Sequence, residues 1–354
     1  MPGLERLAMQ GFRRLRKIDL EMRPLMVMIG ANNVGKTSFL DAVSLLAASA
    51  NGQLGKTLSD MGGIANVLTR GYAEELYLGA RIKVVDFPST LKLYIKPSGQ
   101  RYDVKGLVDE NGEFKELRTV TSSTGAELVL IENIEPSYLR QILGSITHYR
   151  IPDAASPRAP IRLPQQLRPC DLPGNDGGDL VSLLYNLREN HRDRFEAIED
   201  TLRVAFPGFE SLSFPPVAAG MLSMIWKEKH FNKPLYMNEL SSGTLRFLWL
   251  VSLLQSPGLT AATMIDEPEG SLHPELLNLL ADLFREASHR TQLIVATQSD
   301  SLIRFLQPNE VVVMDIDDEG FAQAKWADTL DLDEWLKEYS LDELWHMGRI
   351  GARS

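Results

Sequence analysis

The 354-residue sequence predicts an α/β fold with a mixed β-sheet, and three observations carry that prediction. The apolar run Leu25 to Ile29 reads as a buried strand, Gly30 breaks it, and a helix-forming segment begins after Lys36. Two more short apolar runs, Ala261 to Asp266 and Gln292 to Thr297, have the same strand character far downstream. From Glu75 to about Leu130, apolar and polar residues alternate in short runs, as antiparallel strands do.

The turn after the first of these strands is Gly30-Ala31-Asn32-Asn33-Val34-Gly35-Lys36-Thr37, which fits the phosphate-binding pattern G-x-x-x-x-G-K-[ST]. Gly30 and Gly35 let the backbone curl so that successive N–H groups, through Asn32, Asn33 and Val34, and the helix N-terminus point at an anion. A Cβ at either glycine would obstruct that path. Lys36 would reach the terminal phosphates of a nucleotide, and the Thr37 hydroxyl would ligate Mg²⁺. An ordinary Gly-rich strand-to-helix turn is the competing reading, and the strand and helix on the correct sides of the match count against it. The predicted class is therefore a P-loop NTPase.

A chain of this length can bury one large core or two smaller ones. Its 44% hydrophobic and 24% charged residues are ordinary for a globular protein. No stretch has the uninterrupted apolar length of a membrane span; Leu245 to Leu254 is apolar but short and contains Arg246. The N-terminal MPGLERLAMQGFRRL lacks the apolar core of a secretion signal, so the expected location is the cytoplasm, with no membrane partner. The single cysteine, Cys170, excludes an internal disulfide and cannot make a cysteine-based metal site alone; it reads as a buried or incidental thiol. A net charge of −10 counts against a protein that coats nucleic acid. Charge is unevenly placed, however. Arg13, Arg14, Arg16, Lys17 and Arg23 make the N-terminus basic and suit nucleotide or nucleic acid, whereas an acidic set including Asp317, Glu319, Asp328, Asp333 and Glu334 reads as a solvated face.

Along the chain, Leu4 to Phe12 and Ile18 to Met22 alternate as strands joined through Arg13 to Lys17, a hairpin that would bring Arg13 towards the phosphate loop. Thr37 to Ala50 has the apolar spacing of a helix packed on a sheet. Residues 51–71 are Gly-rich and polar, a loop with a short helix, and complete a predicted N-terminal lobe over 1–71. The runs LYLGARIKVV, TLKLYIKP and ELVLIENI, punctuated by Pro88, Pro97-Ser98-Gly99 and Asn111-Gly112, predict an antiparallel insertion over 72–150. It would be a meander packed beside the first sheet, followed by a helix from Ser137 to Ile146. A Pro- and Gly-rich crossing, Ile151 to Gly178, opens a linker and helical region over 151–234. Its helices are Asp179 to Arg188, capped by Asp179, and Arg192 to Phe206, stopped by Pro207-Gly208. Strand character returns at Met221 to Lys227 and Leu235 to Met237. Residues 235–315 hold the remaining motifs and a last strand, Val311 to Asp315, and 316–354 is an acidic C-terminal segment. No sustained heptad pattern occurs between Thr37 and Ser241, so no coiled-coil arm is expected.

Glu239-Leu240-Ser241-Ser242-Gly243-Thr244-Leu245-Arg246 precedes the apolar helix RFLWLVSLL. Ser241 would cap that helix, and its hydroxyl, Gly243 and the helix N–H groups together make an anion site; a plain cap is the competing reading. Thr263-Met264-Ile265-Asp266-Glu267-Pro268 is an apolar strand ending in adjacent carboxylates. In a phosphoryl-transfer site Asp266 can hold Mg²⁺ through water and Glu267 can polarise the attacking water. An acidic strand end facing solvent is the alternative, disfavoured because phosphate loop, LSSG helix start and carboxylates follow in the order one nucleotide site requires. Gln298-Ser299 ends the strand QLIVAT, on the side that faces the ligand crevice of parallel sheets. Gln298 could hydrogen-bond the terminal phosphate or the attacking water, or it could cap a turn.

Taken in the order GANNVGKT, ELSSGTLRFL, TMIDEPEGSLHPE and IVATQS, the sequence resembles the ABC-type ATPases of the RecF-like and SMC-like branch. Within that branch it is similar to the arm-less single-chain ATPases of bacterial defence operons that accompany a nuclease or other effector. The resemblance covers about residues 3 to 71 and 235 to 315. It implies one ABC-type head over 1–354, with a mixed β-sheet, an antiparallel β subdomain and a helical subdomain carrying the signature motif. It implies ATP and Mg²⁺ bound through Lys36 and Thr37, with Ser38 beside them and Arg13 near the nucleotide. Ser241 and Gly243 match the signature that completes the site of the opposite subunit. Asp266 matches the Mg²⁺-supporting carboxylate, and Glu267 the catalytic one. Leu272-His273 falls in a loop that crosses the dimer interface, with His273 where many relatives carry aspartate. Gln298 stands where they often carry a switch histidine, which implies slow turnover, and Gln53 is no more than a candidate for their glutamine loop.

The mechanism so implied is a homodimer held by shared ATP, whose closure and reopening regulate an effector protein, a nuclease or toxin, in bacterial defence. The alternatives are a RecF-like repair ATPase that clamps DNA and an ATP-gated scaffold that scarcely turns over. A transporter subunit is disfavoured by the large insertion and the Phe-Arg start.

Overall fold

The computed structural model describes residues 3–83, 89–99, 101–110, 113–117, 119–121, 126–128, 137–218, 220–332, 335 and 338–350. The turn residues Pro88 and Asn111-Gly112, most of the run ELVLIENI, and Asp333 and Glu334 lie outside them.

The chain opens with β1 (Gly3–Phe12), β2 (Leu15–Glu21), β3 (Leu25–Ile29), α1 (Lys36–Ala50), α2 (Leu54–Asp60) and α3 (Ile64–Val67). Then come β4 (Leu76–Lys83), β5 (Ser89–Ser98), β6 (Arg101–Glu110), β7 (Glu113–Glu116), β8 (Thr119–Thr121), β9 (Ala126–Leu128), α4 (Ser137–Gly144) and β10 (Thr147–Arg150). The middle of the chain supplies β11 (Gln165–Gln166), α5 (Leu180–Asn190), α6 (Arg192–Ala205), β12 (Phe209–Ser213), β13 (Met221–Leu222), β14 (Ile225–Glu228) and β15 (Leu235–Tyr236). The last part holds α7 (Ser242–Gln255), β16 (Ala262–Asp266), α8 (Glu275–Ser288), β17 (Gln292–Thr297), α9 (Asp300–Ile303), β18 (Val311–Ile316), β19 (Ala322–Trp326) and α10 (Leu341–His346). Two compact units divide these elements: Met1–His148 with Thr260–Met264 and Thr291–Ser354, and Tyr149–Leu259 with Ile265–Arg290.

The first unit contains two sheets. One is antiparallel in the order β2-β1-β4-β5-β6-β7; the other is mixed, in the order β10-β16-β17-β3-β18-β19. Strand β3 lies between β17 and β18, parallel to both, and all five of its residues are buried, as a central parallel strand requires. Helix α1 is buried on nearly every face and shares one core with Leu7, Met9, Leu78 and Leu93 of the antiparallel sheet and Met26, Met28, Ile294 and Val312 of the mixed one. The meander does not stand beside the sheet begun by β1 and β2. Its first strand, β4, pairs with the free edge of β1, so hairpin and meander make one sheet. Residues 51–71 form two short helices rather than one.

Two of the basic N-terminal residues, expected to suit nucleotide or nucleic acid, meet two of the acidic residues expected on a solvated face. Arg16 pairs with Glu319, and Arg23 pairs with Asp328 at 2.8 Å while its guanidinium stacks 4.0 Å from the Trp326 ring. The pairing follows from the fold, because β19 lies on β18 and β18 on β3, next to the strands that carry the arginines.

In the second unit, α6 packs on β12 of the three-stranded sheet β12-β14-β15 and on α5 and α7, and α7 also packs on α8. Trp226 is the centre of an aromatic cluster, 4.4 Å from Phe209 and 5.4 Å from Phe206, ring centre to ring centre. The expected strand Met221 to Lys227 divides at Ser223-Met224, its first part pairing with β11 and its second with β12. Asp179 holds the N-cap position of α5, yet its carboxylate accepts from Arg168 Nε at 2.5 Å and makes no helix-capping bond. A charged partner outcompetes a neutral N–H there. Among the described residues, no helix exceeds the 15 residues of α1, and none is long and apolar enough to cross a membrane.

Candidate nucleotide site

The phosphate loop belongs to the first unit, and its glycines are dictated by contact and by backbone angle. A Cβ on Gly30 would lie 2.6 Å from the Met314 carbonyl oxygen and 2.6 Å from a Val34 methyl. Gly35 has φ +113°, a left-handed backbone that favours glycine, and it packs under Leu15 and Ala322. Asn33, at φ +67°, is the second left-handed residue of the turn, which an asparagine tolerates better than most. Lys36 is buried at 7% exposure, and its Nζ donates to the carbonyls of Gly30 at 2.5 Å and Ala31 at 2.9 Å. The ammonium thus curls around the loop that it closes. Helix α1 starts at Gly35 with no side-chain cap and no acidic residue in its first turn, an arrangement that suits an anion at its positive end. Thr37 is exposed in that turn, Ser38 is half-buried, and Asn32 and Asn33 are exposed on the loop.

Arg13 and Gln298 are brought to the same region. Arg13 sits at the hairpin turn with φ +48°, its N–H donating to the Val67 carbonyl at 2.7 Å, and its Nη1 reaches Asp41 of α1 at 2.6 Å. The guanidinium therefore lies against the phosphate-loop helix, on a carboxylate. Gln298 is exposed immediately after Thr297, which is in register with Ile29, the residue before Gly30. The hydroxyl that caps the following turn belongs to Ser299, whose Oγ accepts from the Leu302 N–H at 3.3 Å. Gln53 is exposed at the N-cap position of α2.

The second unit carries the remaining candidates. Ser241 caps α7 by accepting from the Thr244 N–H at 3.0 Å. Gly243 passes so close to the loop after the carboxylates that a Cβ there would lie 2.7 Å from the Ser271 carbonyl oxygen. Asp266 ends β16, half-buried, and Glu267 follows, exposed and with φ +51°. His273 is exposed at the start of α8, 3.7 Å from Glu275.

Two residues that the sequence reading left out shape this half. Arg162 is 8% exposed and spends its donors on the carbonyls of Ala154 at 2.7 Å, Asn238 at 3.1 Å and Leu240 at 2.9 Å, and on Ser242 Oγ at 3.2 Å. It fixes the backbone leading into α7 from the Pro-rich crossing. Arg246 donates to the Pro152 and Gly270 carbonyls and to Ser271 Oγ. The signal for Arg246 was its presence inside an apolar helix; Arg162, between Pro160 and Pro164, offered none. Burial pushes the Cys170 thiol up to about 11, which disfavours the thiolate at neutral pH.

The candidates form two sets: Arg13, Gly30 to Ser38 and Gln298 on the first unit, and Ser241, Gly243, Asp266 and Glu267 on the second. Among the described residues no group of three or more His, Cys, Asp or Glu could hold a metal ion. On the first unit the exposed Thr37 hydroxyl, and on the second the half-buried Asp266 carboxylate, are each hard oxygen donors of the kind Mg²⁺ takes one or two of, completing its shell with phosphate and water.

This fold and this loop are those of a P-loop ATPase domain. The chain belongs to the family described as "AAA domain, putative AbiEii toxin, Type IV TA system", whose model matches residues 69–304. A second family model, "AAA ATPase domain", matches residues 3–117, the stretch that contains the phosphate loop. No curated protein matches the chain. Among solved structures it is similar to an SMC head bound to the C-winged helix domain of ScpA, with TM-score 0.60, 16% identity, and coverage of 95% of this chain and 99% of that one. It is also similar to the SMC head with an extended coiled coil bound to the C-terminal domain of ScpA, derived from Pyrococcus furiosus (TM-score 0.58, 13% identity, 96% and 99% covered). The SMC head of Thermotoga maritima gives TM-score 0.52 at 14% identity, with 91% and 98% covered. At such identities these likenesses speak for the fold.

Proposed function

We propose that this chain hydrolyses ATP as a homodimer, each phosphate loop being completed by the signature helix of the opposite copy, and that the cycle controls a partner effector. One observation carries the reading: the chain bears both an anion-ready helix start, at Gly35, and a separate Ser-capped one, at Ser241, on different units. Two copies facing one another supply both starts to each ATP.

In this reading the loop N–H groups and Lys36 cradle the β- and γ-phosphates. Lys36 gives up its contacts with the Gly30 and Ala31 carbonyls to do so, turning its protons towards the developing negative charge. Thr37 and Asp266 would hold Mg²⁺, which neutralises phosphate charge when bound. Glu267 accepts a hydrogen bond from the attacking water and orients it in line with the γ-phosphorus, while Gln298 donates to a terminal phosphate oxygen. Arg13 exchanges Asp41 for the nucleotide. Ser241 and the Gly243 N–H of the partner subunit cover the γ-phosphate, so ATP stabilises the closed pair by its differential affinity for it, and loss of that phosphate reopens the pair. With glutamine rather than an imidazole at position 298, no side chain there takes up a proton readily, which supports slow turnover.

The family name points to toxin–antitoxin defence, and two of the three SMC heads named above are bound to a domain of a second protein, ScpA; both support an effector as what the cycle controls. Of the five N-terminal basic residues that would favour a DNA clamp, Arg13, Arg16 and Arg23 are paired with Asp41, Glu319 and Asp328, while Arg14 and Lys17 are exposed. The test is Glu267→Gln, assayed with Mg²⁺ and ATP by light scattering after gel filtration and by phosphate release. The expected result is retained ATP, a dimeric mass and no phosphate release. A monomeric mass at saturating ATP would overturn the dimer.

A further inference from the structure

We propose that Arg246 is a positioning residue, locking the start of α7 to the loop that follows the paired carboxylates. The signature residues Ser241 and Gly243 and the catalytic candidate Glu267 of one subunit then move as one piece. The use of that coupling rests on the dimer reading above: Ser241 and Gly243 would serve the partner's ATP and Glu267 the subunit's own, so the lock would link the two sites.

The loop is strained and needs holding. Glu267 and Ser271 have φ +51° and +64°, left-handed angles that side chains other than glycine and asparagine seldom adopt. Between them the chain makes tight turns, with the Gly270 N–H donating to Glu267 O at 3.2 Å and the Leu272 N–H to Glu269 O at 2.9 Å. Such strain persists only where surrounding structure over-determines it, and it collects at functional sites.

Helix α7 does the holding from two positions three residues apart, which share a face. Gly243 lies against the Ser271 carbonyl, too close to admit a Cβ. Arg246 Nη1 donates to Ser271 Oγ at 2.6 Å and to the Gly270 carbonyl at 3.3 Å. Arg246 Nε donates to the Pro152 carbonyl at 3.2 Å, which anchors the fork to the Pro-rich crossing. Arg246 is half-buried between the fully buried Leu245 and Phe247, and its Nε and Nη1 donors are both spent on the protein. A planar guanidinium with several fixed donors can join three segments at once; the rotating ammonium of lysine cannot reproduce that geometry.

The test compares Arg246→Ala, Arg246→Lys, Ser271→Ala and the double variant Arg246→Ala/Ser271→Ala, using the full chain with Mg²⁺ and ATP. In Arg246→Ala, kcat is expected to fall about 10- to 100-fold with KM nearly unchanged, because a displaced carboxylate loop costs rate rather than ground-state binding. Ser271→Ala should fall in the same sense, Arg246→Lys should resemble Arg246→Ala, and the double variant should be no slower than Arg246→Ala alone. Hydrogen exchange at the Gly270 and Leu272 amides should accelerate in all four, a readout independent of turnover. Unchanged kcat in a folded Arg246→Ala, or single effects that multiply in the double, would sink the proposal. If Arg246→Ala does not fold, Arg246→Lys and Ser271→Ala decide it by the same criteria. The dimer is read separately: monomeric Glu267→Gln together with these kcat losses would keep the lock and remove the dimer.

Discussion

Helices α1 and α7 carry the two halves of the candidate site, and they begin in opposite ways. Helix α1 starts at a left-handed glycine with no side-chain cap, whereas α7 starts at Ser241, whose hydroxyl already accepts from the Thr244 N–H. The first start is ordered by the packing of Gly35 under Leu15 and Ala322 and leaves its positive end to an anion. The second is ordered by its own side chain, so a phosphate would have to share that hydroxyl or draw it away. The proposed roles use that difference, α1 for binding the nucleotide and α7 for closing over it.

The sharpest way to break this contrast is Lys36→Ala. It should lose ATP retention in a filter-binding assay and lower turnover on the order of 10²–10³-fold, while α7 and its contacts stay intact. Next comes a matched pair, since Gly30→Ala and Gly243→Ala each drive a Cβ to within 2.7 Å of a backbone oxygen. Gly30→Ala should weaken nucleotide binding by about tenfold or more, read by fluorescent-ATP titration. Gly243→Ala should bind ATP normally yet fail to dimerise with it. Equal binding loss in both would erase the distinction.

Ser241 sharpens the comparison further. Ser241→Ala should cost about 1 kcal/mol of helix capping and lower the thermal midpoint by about 2–4 °C. Ser241→Asp should keep the cap and the midpoint while losing ATP-dependent dimer through charge repulsion. A serine that merely caps would leave the dimer of Ser241→Asp untouched. Last is Gln298→Ala: a hydrogen bond to a charged phosphate is worth about 1.5–3 kcal/mol, so phosphate release should slow roughly ten- to 150-fold.

The residues legible in the sequence are those whose roles are local. GANNVGKT turns because two glycines must, and Ser241 caps because a serine three residues before an N–H can; neither needs the rest of the chain. The same rule failed at Asp179, where Arg168 took the carboxylate. What stayed hidden is what distant segments supply. Arg162 meets Asn238 and Leu240, Arg23 meets Asp328, and β4 chose the free edge of β1, all pairings set by topology rather than by nearby sequence. Periodicity announced the meander's strands and was silent on which edge they would join.

Strand β3 is finished within the first 29 residues, yet both its neighbours in the sheet come after residue 291. On the ribosome, at about 5–20 residues per second, its five apolar side chains would wait roughly a quarter of a minute to a minute for Val311 to emerge. Both hydrogen-bonding edges of β3 thus wait for their native partners until nearly the whole chain has been made.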